Sequence, residues 1–384
     1  MLRGGMMLTT TSAREYAMPA LFEPTSINGL ELPNRFVRSA TWEGLAAEDG
    51  SSTPLLGESL ARLAGGGVGL VIPGYAFVSR EGQDAPGQLG VHSDAMLPGL
   101  TEMAAAVHAS GGRIALQLAH AGLEGDPELS GHEPSGPSPL RGPGARLTRA
   151  MDAADLAAVT RAFAEAAARA RRAGCDAVQI HAAHGYLLSQ FLSPRFNRRR
   201  DGYGGGVERR ARLLLEVVEA VRAAVGTNYP VLVKINAEDF VPGGLSVDDM
   251  LAVVELLEAA GCDAVELSGG TGSPEGISFS RVGRPAPGEP EAYYESAALR
   301  FKKSVAMPLI LVGGIRTFET ATRLVAEGVT DYLALSRPLI REPDLVARWR
   351  SGDTRPARCV SDNACFDSPD DGHGLFCIVE ARRK

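Results

Sequence analysis

The sequence is poor in the features that would set it apart from an ordinary globular enzyme. Of its 384 residues only 6% are aromatic, and only 2 are tryptophan. Its 5 cysteines, Cys175, Cys262, Cys359, Cys365 and Cys377, are an odd count in a large chain. That is no disulfide framework, and it points to a reducing cytoplasm. No apolar run approaches the ~18 residues that a membrane helix needs. No lysine- or arginine-rich run stands out, and the net charge is −7. Nucleic acid and anionic membrane surfaces are therefore not expected partners. Residues 1–20 contain no apolar stretch followed by a cleavage site, so they read as a loose arm and not as a signal peptide.

What is present is a repeat. With 45% hydrophobic and 22% charged residues, the composition is that of a globular enzyme. Residues 173–178 read AGCDAV, and residues 260–265 read AGCDAV again. Each follows an Ala-rich amphipathic stretch and leads into a short β-rich run ending in polar residues or glycine. Eight such β runs lie near 35–41, 68–74, 113–119, 176–182, 230–236, 263–268, 308–313 and 331–336. Strands alternating with helices predict a parallel sheet, and eight units suit a closed (β/α)8 TIM barrel. An open doubly wound sheet is the alternative. The expected organisation is an arm over 1–20, the barrel over 21–350 and a tail over 351–384.

Barrel enzymes place their chemistry where the strands end. The residues expected there include Ser39, Thr41, Gln117, His120, His181, His184, Lys234, Asn236, Asp239, Glu266, Ser268, Gly313, Gly314, Ser336 and Arg337. The Pro/Gly-rich loop 123–150 is long enough to be a lid or a substrate wall. The fourth run ends in His181 and His184, three residues apart, with Tyr186 two further on. Two imidazoles can offer N–H donors to one oxygen that gains negative charge. A nearby tyrosine can supply a proton. A structural histidine pair, or half of a zinc site, fits the same spacing, although no third zinc ligand is evident.

The run HAAHGYLLSQFLSPRFNRRRDGYGGGVERRAR resembles the signature of the Old Yellow Enzyme family. The resemblance extends to NRFVRSATWEG, IALQLAHAG, VLVKINAEDF and LILVGGIRTFETATRLVAEGVTDYLALSRPLIREPDL. It implies FMN held at the open end of the barrel, with NADH or NADPH as reductant. It places Ala40, Thr41 and Gly74 against the flavin, Gln117 on the pyrimidine edge of the ring and Lys234 beside flavin N1. Gly313, Gly314, Ser336 and Arg337 fall at the phosphate. Lys234 stands where the family usually has arginine, which keeps the charge but loses the planar fork.

The reaction this resemblance implies is reduction of activated C=C bonds in α,β-unsaturated carbonyl compounds. His181 and His184 would bind the carbonyl oxygen, and Tyr186 would be the proton donor. A flavin-dependent dehydrogenase or demethylase acting on an amine or alcohol is the alternative, and a non-catalytic flavin-binding protein a remote one. The partner is a small molecule; a homo-oligomer stays open. The tail resembles a four-cysteine cluster motif, but Asp362 stands at its second position. No iron–sulfur cluster and no other metal is expected.

Overall fold

The glycine of each AGCDAV repeat ends a helix, and the aspartate opens a strand. The computed structural model describes residues 20–139, 148–272, 275–284, 291–368 and 373–382. In it Gly174 and Gly261 take φ of 87° and 80°. L side chains avoid that region, and it lets the chain leave a helix sharply. The expected arm lies outside the described residues, apart from Ala20.

The strands are β1 (Phe36–Arg38), β2 (Leu70–Val71), β3 (Arg113–Ala119), β4 (Ala177–Ala182), β5 (Val231–Asn236), β6 (Ala264–Ser268), β7 (Leu309–Val312) and β8 (Tyr332–Leu335). Each pairs in parallel with the next, and β8 pairs with β1. The sheet is therefore a closed eight-stranded parallel barrel with helices between the strands. The eight β runs expected from the sequence are its eight strands.

The outer helices are α1 (Pro54–Gly65), α2 (Leu97–Ala109), α3 (Ala153–Arg172), α4 (Val207–Val225), α5 (Val247–Ala259), α6 (Glu295–Ser304), α7 (Phe318–Ala326) and α8 (Leu345–Arg350). Capping boxes start two of them, Asp152 with Asp155 at α3 and Ser246 with Asp249 at α5. α4 buries Leu213, Leu214, Val217, Val218, Val221 and Val225, a stripe at helical spacing.

The repeat aspartates are staples. The Asp176 carboxylate accepts the Ile114 N–H of β3 at 2.8 Å. Asp263 accepts the Val231 N–H of β5 at 2.7 Å, and Asp331 the Leu309 N–H of β7 at 2.8 Å. Each also meets a basic side chain from a preceding helix: His108 of α2 at 2.8 Å, Arg222 of α4, and Lys302 of α6 at 2.7 Å. One short side chain thus ties an even strand to the strand and helix before it, at the end of the barrel away from the site.

Alternate residues of every strand point inward. The lower interior is apolar: Val37, Leu70, Ala115, Ala177, Leu232, Ala264, Ile310 and Tyr332 are all buried there. A hairpin, Thr25–Ile27 paired with Leu30–Leu32, adds Ile27 and Leu32 to that cluster. One turn of the pleat further along, the interior becomes polar, with Gln117, Gln179, Lys234 and Glu266 all buried.

The staples make a direct prediction. Asp263→Ala strands the Val231 N–H and removes the counter-charge of Arg222, and should lower unfolding stability by about 2–3 kcal/mol. Asp263→Asn keeps an acceptor and should lose less. Urea unfolding measures both, and a loss within ~0.5 kcal/mol for the alanine variant would remove the staple from the account.

Candidate functional site

The polar half of the interior opens into a cavity of about 1160 Å³, counted out to its mouth. His181, the fifth residue of β4, points inward two residues after Gln179. The chain then turns, and His184 takes φ of 65°, a left-handed conformation unusual for a side chain of this size. Its backbone N–H donates to Asn236 Oδ1 at 3.1 Å, which fixes the turn against β5. The two imidazoles stand nearly perpendicular, with ring centroids 5.2 Å apart. Tyr186 lies 5.1 Å from His181, ring to ring.

The two histidines have different surroundings. His184 Nε2 lies 2.7 Å from Ser268 Oγ, and its ring stacks on Phe279 with centroids 4.9 Å apart. His181 Nδ1 is buried and has no hydrogen-bond partner among the described residues. Burial and the charge of Lys234 hold both imidazoles well below their usual value, so both are neutral at neutral pH. A neutral imidazole keeps one N–H to donate. Burial also raises the Tyr186 phenol well above its usual value, and neighbouring Tyr75 and Asp84 push it the same way. Tyr186 therefore keeps its proton until something takes it.

The residues assigned from the sequence to flavin or substrate come together with one exception, whereas His120, Asn236, Asp239 and Glu266, also expected at the strand ends, do not line the cavity. Ala40, Thr41, Gln117, His181, His184, Tyr186, Lys234, Gly313, Gly314, Ser336 and Arg337 all line the cavity. Gly74 does not. Its N–H donates to Glu43 Oε2 at 2.9 Å, and an added Cβ would meet that oxygen at 2.7 Å. Gly74 is thus a close-packing glycine behind the wall. His120 is buried with its pKa pushed down to about 4, and its Nδ1 accepts the Gly122 N–H at 3.0 Å, as a structural histidine would.

Two segments carry wall residues that sequence reasoning did not supply. The loop after β6 contributes Phe279 and Ser280, and the tail contributes Ser361 and Phe366. The tail is tied down by Arg316, whose guanidinium donates to the Cys359 carbonyl at 2.9 Å and to Ser361 Oγ. Arg337 donates to Asn363 Oδ1 at 2.6 Å and to the Arg281 carbonyl at 2.7 Å, tying tail and loop together. The loop 123–150, expected to be a lid, places none of its described residues on this wall; residues 140–147 lie outside the described set. Arg316 was legible as the residue two after Gly314, but nothing local distinguishes it from a solvated charge.

The donor set can be tested against a flavin nucleotide. Three cations, Lys234, Arg316 and Arg337, line the cavity, and no carboxylate does among the described residues. Trp42, Tyr75, Tyr293 and Tyr294 supply flat apolar wall. Gly313 and Gly314 take φ of 112° and 81°, so their peptide groups adopt a turn that no other residue type would hold comfortably. Cations and glycine backbone at one end, with a flat pocket beside them, suit a planar ring carrying a phosphate. In the tail, Cys365 is buried with its thiol pushed up to about 11, and the cysteines are unpaired. Among the described residues no three His, Cys, Asp or Glu side chains are grouped to hold a metal ion. None of the described helices is long and apolar enough to cross a membrane.

Known proteins resemble this chain in sequence and fold. The chain is 34% identical over 394 residues to 4,4'-dithiodibutanoate disulfide reductase of Rhodococcus erythropolis, covering 94% of this chain and 95% of that protein. It is 35% identical over 353 residues to an NADH oxidase of Thermoanaerobacter brockii, covering 90% of this chain but 53% of that protein. The chain thus spans about half the length of that longer relative. The Old Yellow Enzyme homologue of Zymomonas mobilis superposes with a TM-score of 0.77 at 27% identity, over 90% of this chain and 96% of that one. Residues 20–355 match the NADH:flavin oxidoreductase / NADH oxidase family. The chain belongs to that family of oxidoreductases, which use FMN with NADH or NADPH as the reductant.

Proposed function

We propose that this chain reduces the activated C=C bond of an α,β-unsaturated carbonyl compound. The observation that carries the reading is the arrangement of two neutral imidazoles, His181 and His184, beside a fully protonated Tyr186 on one cavity wall. In this reading Gln117 and Lys234 hold the flavin ring, and Gly313, Gly314, Arg316, Ser336 and Arg337 hold its phosphate. FMN, when bound, supplies the hydride that it has taken from NADH or NADPH.

The protein's own part is to bind an oxygen and to deliver a proton. His181 and His184 donate N–H groups to the substrate carbonyl oxygen, which draws electron density away from the alkene. Neutral donors suit this task, because a charged imidazolium would compete as an acid for the same oxygen. Tyr186 then gives its phenolic proton to the α-carbon.

Behind Tyr186 lies a means of managing that proton. Tyr75 packs on Tyr186 with ring centroids 5.1 Å apart, and its hydroxyl donates to Asp84 Oδ2 at 3.2 Å. Burial pushes the Asp84 carboxyl up to about 7, while hydrogen bonding to Tyr186 and Tyr75 pulls it back. Asp84 is thus neutral below about pH 7 and ionised above it. An ionised Asp84 would hold the Tyr186 proton more tightly.

A second reading is supported by the Rhodococcus erythropolis relative, which is named for a disulfide substrate. Here two electrons split an S–S bond, and the leaving thiolate takes the proton. Steady-state turnover of an enone and of 4,4'-dithiodibutanoate, each with NADH and with NADPH, separates the two readings.

Three outcomes are expected. Tyr186→Phe should slow reoxidation of the reduced enzyme by an enone ~10²–10⁴-fold while leaving reduction by NAD(P)H within a few-fold; stopped-flow absorbance reads both, and equal slowing would make the tyrosine structural. In the wild type the enone step should weaken as pH rises through about 7, as Asp84 ionises. Asp84→Asn should flatten that profile, and an unchanged profile would remove Asp84 from the proton path. Arg337→Ala should weaken FMN binding by about 10- to 100-fold, the equivalent of one charged hydrogen bond. Riboflavin binding, measured by fluorescence quenching, should barely change. Equal losses for the two flavins would place the phosphate elsewhere.

A further inference from the structure

We propose that Glu266 is a positioning residue that sets the direction of a hydrogen-bond chain across the barrel and offsets the charge of Lys234 beneath the flavin ring. The proposal rests on the reading that Gln117 and Lys234 meet that ring.

Glu266 lies midway along β6, is 0% exposed and sits opposite Lys234 in the strand register. Its Oε1 accepts from Ser39 Oγ at 2.6 Å and forms an ion pair with Lys234 Nζ 3.0 Å away. Its Oε2 accepts from Gln179 Nε2 at 2.7 Å. Lys234 Nζ also donates to Ser39 Oγ at 2.8 Å, which leaves the serine proton for the carboxylate. Every neighbour of Glu266 is thus a donor, and an ionised carboxylate is an acceptor only.

That polarity propagates. Gln179 must turn its nitrogen to Glu266, so its Oε1 faces Gln117. Gln117 must then turn its own nitrogen to Gln179, and the two meet at 2.6 Å. Gln117 reaches the cavity wall with its carbonyl oxygen and one remaining N–H free to bond a ligand, whereas Gln179 is fully enclosed. The pyrimidine edge of a flavin carries an N–H beside a carbonyl oxygen. That pattern complements an amide held in this orientation and clashes with the flipped one.

The charge argument is independent of the amides. Lys234 is 2% exposed, and its counter-charge lies 3.0 Å away inside the same barrel. Beyond the pair the field falls off as that of a dipole. A lone lysine there would favour the anionic reduced flavin, and Glu266 offsets part of that effect. The position of the pair also speaks against a purely structural role. A buried ion pair is no more stabilising than well-packed apolar residues of similar size. The layer just below, with Val37, Ala115, Ala177, Leu232 and Ala264, is apolar. Only the layer facing the cavity is polar.

The experiment is a redox titration of the FMN-loaded protein against reference dyes at pH 6. FMN dissociation constants and urea midpoints are measured beside it. Glu266→Gln should make reduction more favourable by tenfold or more in equilibrium constant, which is about +30 mV for two electrons. Lys234→Met should shift the potential in the opposite direction, and Lys234→Met/Glu266→Gln should return it toward the wild type. Gln179→Leu should weaken FMN binding by about tenfold while moving the potential less than Glu266→Gln does, because it frees Gln117 without changing a charge. If Glu266→Gln lowers the urea midpoint but leaves the potential unchanged, Glu266 only holds the barrel together and the proposal fails. If Lys234→Met also leaves the potential unchanged with FMN bound, the placement of Lys234 at the ring fails instead. Should Glu266→Gln not fold, the double variant carries the test: a potential as low as that of Lys234→Met would show that Glu266 offsets nothing.

Discussion

The rest of this structure depends on how the interior of a closed barrel is filled. Eight strands leave an interior just wide enough for side chains to fill, so what those side chains are decides what the barrel can do. Here the column is apolar at one end and becomes polar where Ser39, Gln117, Gln179, Lys234 and Glu266 meet. These groups satisfy one another along a chain with bonds of 2.6–3.0 Å. That mutual satisfaction is what permits a carboxylate and an ammonium at 0% and 2% exposure. It also gives the cavity a floor of fixed hydrogen-bond polarity and low net charge, on which a flat ring can be read.

The two ends of the barrel are built for different work. At one end Asp176, Asp263 and Asp331 each join a strand to the strand and helix before it. At the other end the backbone takes unusual conformations, at His184, Gly313 and Gly314, and polar atoms such as His181 Nδ1 have no hydrogen-bond partner among the described residues. Stapling one end leaves the other free to carry strain and unsatisfied donors without loss of the fold. The cavity is completed from outside the repeat. Phe279 comes from the loop after β6, and Phe366 from the tail. Both segments are held by the arginines that line the cavity, Arg316 and Arg337, so the wall and the cationic end share the same side chains.

Much of this was legible in the sequence, and the reason is local. The AGCDAV repeat reports a helix end, a left-handed glycine and a strand start within six residues, so its recurrence marks the barrel without knowledge of distant contacts. His181, His184 and Tyr186 lie on one short segment, and their mutual geometry follows from the strand and turn that carry them. Lys234 lies within β5, and Gly313, Gly314 and Arg337 just past strand ends, where the fold itself assigns a side to each. Gly74 misled because a glycine at a strand end serves equally to approach a ligand or to approach Glu43.

By itself, then, the sequence determined the barrel, the places of its eight strands and the histidine–tyrosine cluster, because each is written in residues a few positions apart. Tertiary structure decided what depends on pairs far apart in the chain. It brought Glu266 against Lys234, and Tyr75 and Asp84 against Tyr186. It folded the tail over the cavity, and it made the two imidazoles neutral by burying them beside a lysine. Charge compensation, desolvation and enclosure are properties of a neighbourhood in space, and no spacing along the chain encodes them.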